Sequence, residues 1–162
     1  MANQTDDTAI KLVLRSSDDV TMLSAFLQDG LVAYQDIHFD KARSEVLMVI
    51  DRYRWEQDAE RRERVLMGLR IGKVTALRQK KMAGTDQQNK APSFYNLLNL
   101  AYEQGQDGSK SLNFIFSGGA ALQIAIDDLM MSAGDIAPPR PAMARPDHGD
   151  KQDSNDKSKD LS

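Results

Sequence analysis

The 162-residue chain contains no cysteine. Disulfides, thiolate metal centres, iron–sulfur clusters and cysteine nucleophiles are therefore excluded. Histidine is scarce, with two in the whole chain, so a histidine-rich metal site is not expected. No apolar run approaches the roughly 20 residues that span a bilayer. The first residues, Met1-Ala2-Asn3-Gln4-Thr5-Asp6-Asp7, lack both the basic start and the apolar stretch of a secretory signal. These absences lead to the expectation of a cytoplasmic protein without membrane contact. Missing too are the Walker phosphate loop, the dinucleotide-binding glycine triplet, the zinc-binding His-Glu-x-x-His run and the hydrolase nucleophile elbow. No cofactor is expected. The net charge is −3, from 21 basic and 24 acidic side chains. A strongly basic nucleic-acid packer and a strongly acidic disordered chain are both excluded.

What is present divides into a core and a tail. Four of the five prolines (Pro138, Pro139, Pro141, Pro146) follow Gly134, and from Gly149 onward Leu161 is the only aliphatic residue. Such a stretch cannot bury enough apolar surface to offset its backbone entropy. The expected organisation is a loose 1–7, a single domain over 8–134, and a disordered tail over 135–162. Within the domain, Met82–Ser93 has neither helical nor strand periodicity and reads as a long loop.

Ile10–Arg15 alternates as a short strand. Ser16-Ser17-Asp18-Asp19 supplies a cap and first-turn acids for a helix over 18–29, with Val20, Leu23, Phe26 and Leu27 on its buried face. Gly30 reads as its left-handed stop. Strands follow. Leu31, Ala33, Ile37 and Phe39 share one face of a strand, and continuously apolar Val46–Ile50 predicts a strand covered on both faces. Alternation continues over Arg64–Ile71, Val74–Leu77 and Phe94–Tyr102. In the last hairpin a three-residue loop, Gly118-Gly119-Ala120, sets Phe116 opposite Leu122 and Phe114 opposite Ile124, keeping all apolar side chains on one face. Asp127–Ser132 reads as a short final helix. The fold class is α+β: a strongly curved, mostly antiparallel sheet or half-open barrel of about seven strands, with an N-terminal and a short C-terminal helix. A pleckstrin-homology-like barrel is one architecture of this kind, by analogy alone.

Two places hold candidate chemistry. His38 follows Asp36 by two residues, so a carboxylate stands beside an imidazole on one strand face. The plain alternative is an exposed pair near a strand end. The stronger signal is Arg52–Lys81, where ten Lys/Arg face four acids within a domain of zero net charge. Arg52 and Arg54 share one face of a strand end, and Tyr53 and Trp55 share the other. With Arg61, Arg62 and Arg64 they form a candidate binding set, since the guanidinium fork suits phosphate and carboxylate. The competing reading pairs these arginines locally with Glu56–Glu63 and places Tyr53 and Trp55 in the core. Gly118-Gly119 is too short to cradle a phosphate.

Leu27-Gln28-Asp29, Asp51-Arg52-Tyr53-Arg54-Trp55-Glu56, Arg61-Arg62-Glu63-Arg64-Val65-Leu66 and the hairpin Leu112–Asp127 resemble a family of short proteins found mainly in alphaproteobacteria, a domain of unknown function. The likeness covers most of 10–130, with 135–162 outside the pattern. It implies a bacterial cytoplasmic protein and carries over no functional residue. The functional expectation is a small non-enzymatic binding or adaptor module, docking an acidic partner through Arg52–Arg64 or a sheet edge. The alternatives are RNA or single-strand binding through the same arginines with Trp55, and an enzyme with a dispersed Asp/Glu/Arg site. An exposed edge strand also offers a route to a homo-oligomer.

Overall fold

The computed structural model describes residues 9–57, 60, 62–84 and 93–142. Among them is one α-helix, α1 (Ser17–Leu27), and eleven strands. The strands are β1 (Lys11–Leu14), β2 (Leu31–Ala33), β3 (Ile37–Asp40), β4 (Glu45–Tyr53), β5 (Glu63–Ile71) and β6 (Val74–Lys80). They continue as β7 (Phe94–Gln104), β8 (Lys110–Phe116), β9 (Ala121–Ile126), β10 (Met131–Asp135) and β11 (Arg140–Pro141).

All pairings are antiparallel, and the sheet path runs β1-β10-β5-β4-β2-β7-β8-β9-β6. β3 is added beside β4, and β11 continues along β5 beyond β10. The two ends of the path, β1 and β6, are not paired with each other, so the sheet does not close into a barrel.

Period-two alternation explains the core. Val65, Met67, Leu69 and Ile71 of β5 are buried, as are Leu112, Phe114 and Phe116 of β8 against Leu122, Ile124 and Ile126 of β9. Helix α1 begins where the sequence placed its cap: the Ser16 hydroxyl accepts from the Asp19 N–H at 3.2 Å. Its buried Val20, Leu23 and Leu27 lie against β7 and β4.

Several expectations are corrected. Among the described residues there are eleven strands rather than about seven; Leu31–Phe39 is broken by a single 3-10 turn at Tyr34–Asp36, and two strands lie beyond residue 130. No helix forms at 127–132. The Gly72 N–H donates to the Met130 carbonyl at 2.7 Å, and Met131 then enters β10 opposite Ile71. Sheet pairing on both sides of β10 outweighs the helical spacing of Leu129 and Met130. One face of the β4 run, Val46, Met48 and Ile50, is fully buried, while the other is covered only in part, with Val49 half-buried and Leu47 38% exposed. The left-handed residue after α1 is Asp29 (φ 62), not Gly30. The last hairpin has a three-residue loop, but it is Ser117–Gly119. Leu112 therefore pairs with Ile124 and Phe114 with Leu122, two residues from the expected register. A shift of two leaves every side chain on its predicted face. Gly118 and Gly119 both have positive φ, as the turn requires.

Paired backbone also continues past Gly134. Asp135 belongs to β10, and β11 sets Arg140 opposite Arg64. The rest of the expected tail (143–162), the first eight residues and 85–92 of the expected loop lie outside the described residues.

Candidate functional site

The arginine-rich strand end is an internal ion cluster. Arg52 is fully buried, and each of its five N–H donors is used. Nε and one Nη2 proton reach Asp135 at 3.1 and 2.9 Å, and Nη1 and Nη2 reach Glu56 at 2.9 Å each. Nη1 also donates to the Tyr53 carbonyl at 3.4 Å. The guanidinium carbon lies 5.9 Å from the centre of the Phe26 ring on α1. Asp135 also accepts from the Ile10 N–H at 3.0 Å, so one carboxylate joins β4, β10 and the start of β1.

Arg54 is likewise buried, with Glu63 at 2.6 Å and Glu56 at 3.6 Å. Arg64 donates to Asp51 at 3.1 Å, and Asp51 also takes the Arg140 guanidinium from β11. Trp55 is half-buried, with its ring 4.8 Å from that of Tyr53. Its indole N–H donates at 3.0 Å to the Gln28 carbonyl. That carbonyl is one of the unpaired acceptors at the end of α1. Arg62 is exposed, and its carbonyl accepts from the Ala142 N–H at 2.7 Å. Arg61 lies outside the described residues.

The structure thus brings Arg52 and Arg54 together on one side, as the alternation implied, and Tyr53 with Trp55. It turns the first pair inward. A buried guanidinium already held by two carboxylates is not available to a partner. What the sequence did not reveal is Asp135, which lies 83 residues from Arg52.

Burial works against the charge on Arg52, but its hydrogen bonds and the charges of Glu56 and Asp135 outweigh this and raise its pKa. For Glu56, burial works upward. The hydrogen bond from Arg52, its own backbone N–H, and the charges of Arg52 and Arg54 hold its pKa below the usual carboxylate value. A lowered folded-state pKa contributes stability that is present above the unfolded value, about 4.3 for glutamate. That stability is lost as pH falls through the folded value. Urea midpoints measured as the buffer is taken from neutrality through that range should therefore decline. The Glu56→Gln variant should decline less steeply over the same range, and equal slopes would remove Glu56 from the account.

His38 and Asp36 do not form a site. Asp36 ends the 3-10 turn, His38 sits in β3 opposite Leu47, and both are exposed. Among the described residues no group of three acids or histidines is arranged to hold a metal.

A second location emerges only in three dimensions. A groove opens where β1 and β5 end and β4 and β10 begin, and it extends to the β5–β6 turn. Its apolar floor includes Val13, Leu129 and Met130, of which Val13 is 65% and Met130 59% exposed. Its rim carries four cations, Arg15, Arg43, Arg70 and Lys73, against two acids, Glu45 and Asp127. Arg70 pairs with Glu45 at 3.2 Å, and Arg43 lies 3.9 Å from Asp40. The Arg15 guanidinium and the Lys73 ammonium have no carboxylate within ion-pair distance among the described residues, and Asp19 meets Arg15 at its backbone N–H. Two tight turns shape this rim, with Ser44 (φ 53) and Lys73 (φ 54) both left-handed. The Val74 N–H ties them together by donating to the Ser44 carbonyl at 2.8 Å. Sequence position gave little hint of it, since Arg15, Arg43 and Lys73 come from three separate connections.

An open antiparallel sheet, one packed helix and a buried arginine–carboxylate cluster define an α+β domain stapled by internal ions. The chain belongs to the family of proteins of unknown function designated DUF2948, whose model matches residues 10–148. The match runs beyond Gly134, so the segment carrying Asp135 and Arg140 is part of the family pattern rather than outside it. No curated protein and no solved structure matches the chain. No helix among the described residues is long and apolar enough to cross a membrane.

Proposed function

We propose that the protein is a small non-enzymatic binding module for an acidic protein partner. The observation that supports this reading is the groove: exposed apolar residues below an excess of positive charge, with Arg15 and Lys73 not engaged in ion pairs among the described residues. Apolar floor and cationic rim together suit a partner segment that mixes acidic and apolar side chains, since each supplies what the other lacks. The surface differs from the Arg52–Arg64 region that the sequence singles out, where Arg52 and Arg54 are held inside. Nucleic-acid binding is an outcome of the test rather than a second reading, because Arg52 and Arg54 are buried in the ion cluster and the Trp55 ring packs 4.8 Å from that of Tyr53.

Fluorescence anisotropy with a labelled acidic–apolar peptide and with a mixed-sequence single-stranded RNA separates these outcomes. Saturable peptide binding is expected, weakened at least tenfold by the double charge reversal Arg15→Glu and Lys73→Glu. RNA binding that falls steeply with salt, with no response to the peptide, would replace this reading by the nucleic-acid one.

A further inference from the structure

Strand β1 stands at one end of the sheet path, and β10 is its one strand neighbour among the described residues. The Asp135 N–H donates to the Ile10 carbonyl at 2.9 Å, with Leu12 opposite Ala133 and Leu14 opposite Met131. Antiparallel pairing alternates, so Ile10, Leu12 and Leu14 direct their backbone groups toward β10. Lys11 and Val13 therefore direct their N–H and C=O groups away from β10, along an edge that no strand among the described residues covers. The Arg15 N–H is already taken by Asp19 at 2.8 Å. Side chains alternate as well. Leu12 and Leu14 belong with the core, while Lys11, Val13 and Arg15 are exposed. Along its outer face the edge thus presents a cation, an apolar residue and a cation. Val13 and Arg15 also line the groove.

We propose that β1 takes up the partner as an added antiparallel strand, an extended segment with an acid opposite Lys11, an apolar residue opposite Val13 and an acid opposite Arg15. This rests on the acidic-partner reading and specifies how the partner is held. Backbone hydrogen bonds to Lys11 and Val13 supply the attachment, and side-chain pairs supply the selection. A second copy of the chain does not meet this requirement. Two β1 strands paired antiparallel about Val13 would set Lys11 against Arg15, like charge against like. The same cations that discourage self-pairing of an exposed edge favour a strand of opposite charge.

The experiment uses the full chain and a labelled peptide with the core Glu-Val-Ile-Val-Glu between polar flanks. A peptide with lysine in place of both glutamates is the comparison. Binding of the first should exceed that of the second at least tenfold, with the Lys11 and Val13 amides protected from hydrogen exchange in the complex. Val13→Pro removes an N–H that faces away from β10, so the ladder is kept. It should weaken the acidic peptide at least tenfold while the melting temperature stays within a few degrees. The double reversal Lys11→Glu and Arg15→Glu should invert the preference toward the lysine peptide, and this holds the test even if the proline variant unfolds. Unchanged binding by Val13→Pro, with loss in Lys73→Glu, would overturn strand addition and leave the acidic-partner reading standing. No binding of any acidic peptide overturns both. Self-association of the wild type that Val13→Pro abolishes would make a second copy the occupant and overturn this proposal.

Discussion

Replacing Asp135 by alanine is expected to destabilise the fold by about 3–5 kcal/mol, the usual consequence of leaving one member of a buried ion pair alone. Arg52 is the reason. It is buried, and Asp135 takes two of its five N–H donors. Without Asp135 the guanidinium keeps Glu56 but faces the Asp135 side with unpaired protons. The Ile10 N–H loses its acceptor as well, which loosens the start of β1. Urea denaturation followed by circular dichroism reads the loss as a lower midpoint. A chain ended at Gly134 should behave at least as badly, whereas one ended at Ala142 keeps Asp135 and Arg140. The double variant Arg52→Met with Asp135→Leu is the informative control. Apolar replacement of both partners should recover much of the stability lost by the single change. If Asp135→Ala unfolds within 1 kcal/mol of wild type (about a fivefold change in the folding constant), the cluster is not what holds β10 to β4.

Gly30→Ala is expected to destabilise by about 1–3 kcal/mol through overpacking. A methyl group there would lie 2.6 Å from Ile50 Cγ2 and 2.9 Å from the Leu27 carbonyl oxygen. Ile50 is a fully buried residue in the centre of β4, and Leu27 O is main chain that accepts from the Gly30 N–H. Neither can retreat without moving the helix end off the sheet. The matched control is Gly118→Ala, where φ is 74 and nothing lies within 4 Å. That change is expected to cost only about 1–2 kcal/mol, from the left-handed backbone alone. Thermal or urea melts of the two variants, side by side, separate a steric requirement for glycine from a conformational one. A Gly30→Ala protein as stable as wild type would show that α1 can lift from β4 without penalty.

Glycine illustrates where local reading succeeds and where it fails. At Gly118 and Gly119 the hairpin demands positive φ, and adjacent glycines between two alternating apolar runs announce it. At Gly30 the same logic names the right residue for the wrong cause. The chain reverses at Asp29, and Gly30 is needed because β4 passes close by, which no local pattern reveals. The final segment shows the reverse error. Leu129 and Met130 fit a helix by spacing, yet Met131 and Ala133 alternate into the core because β1 and β5 stand on either side of β10.

The Arg52–Arg64 cluster divides in the same way. Its charge excess, its two faces and the proximity of Tyr53 to Trp55 were legible, since a period of two assigns side chains to faces whatever the strand's neighbours are. Whether those arginines looked outward was not. Glu56 and Glu63 are the local partners that the competing reading named, but full burial of Arg52 also needs Asp135 from the far end of the domain, with Phe26 beside the guanidinium. The groove depends on distance in the same sense, because its cations come from connections that only the assembled sheet brings together.

From sequence alone this protein was determined to be an α+β domain with a capped N-terminal helix, antiparallel strands and no cysteine chemistry. Those properties follow from hydrogen-bond geometry and side-chain periodicity within a few residues. Only the tertiary structure decided the strand order, the pairing of Arg52 with Asp135, the place of the segment after Gly134 and, among the described residues, the uncovered edge at β1. Each of these is a contest between desolvation and pairing among residues far apart in the chain, and it is resolved only when the whole sheet has formed.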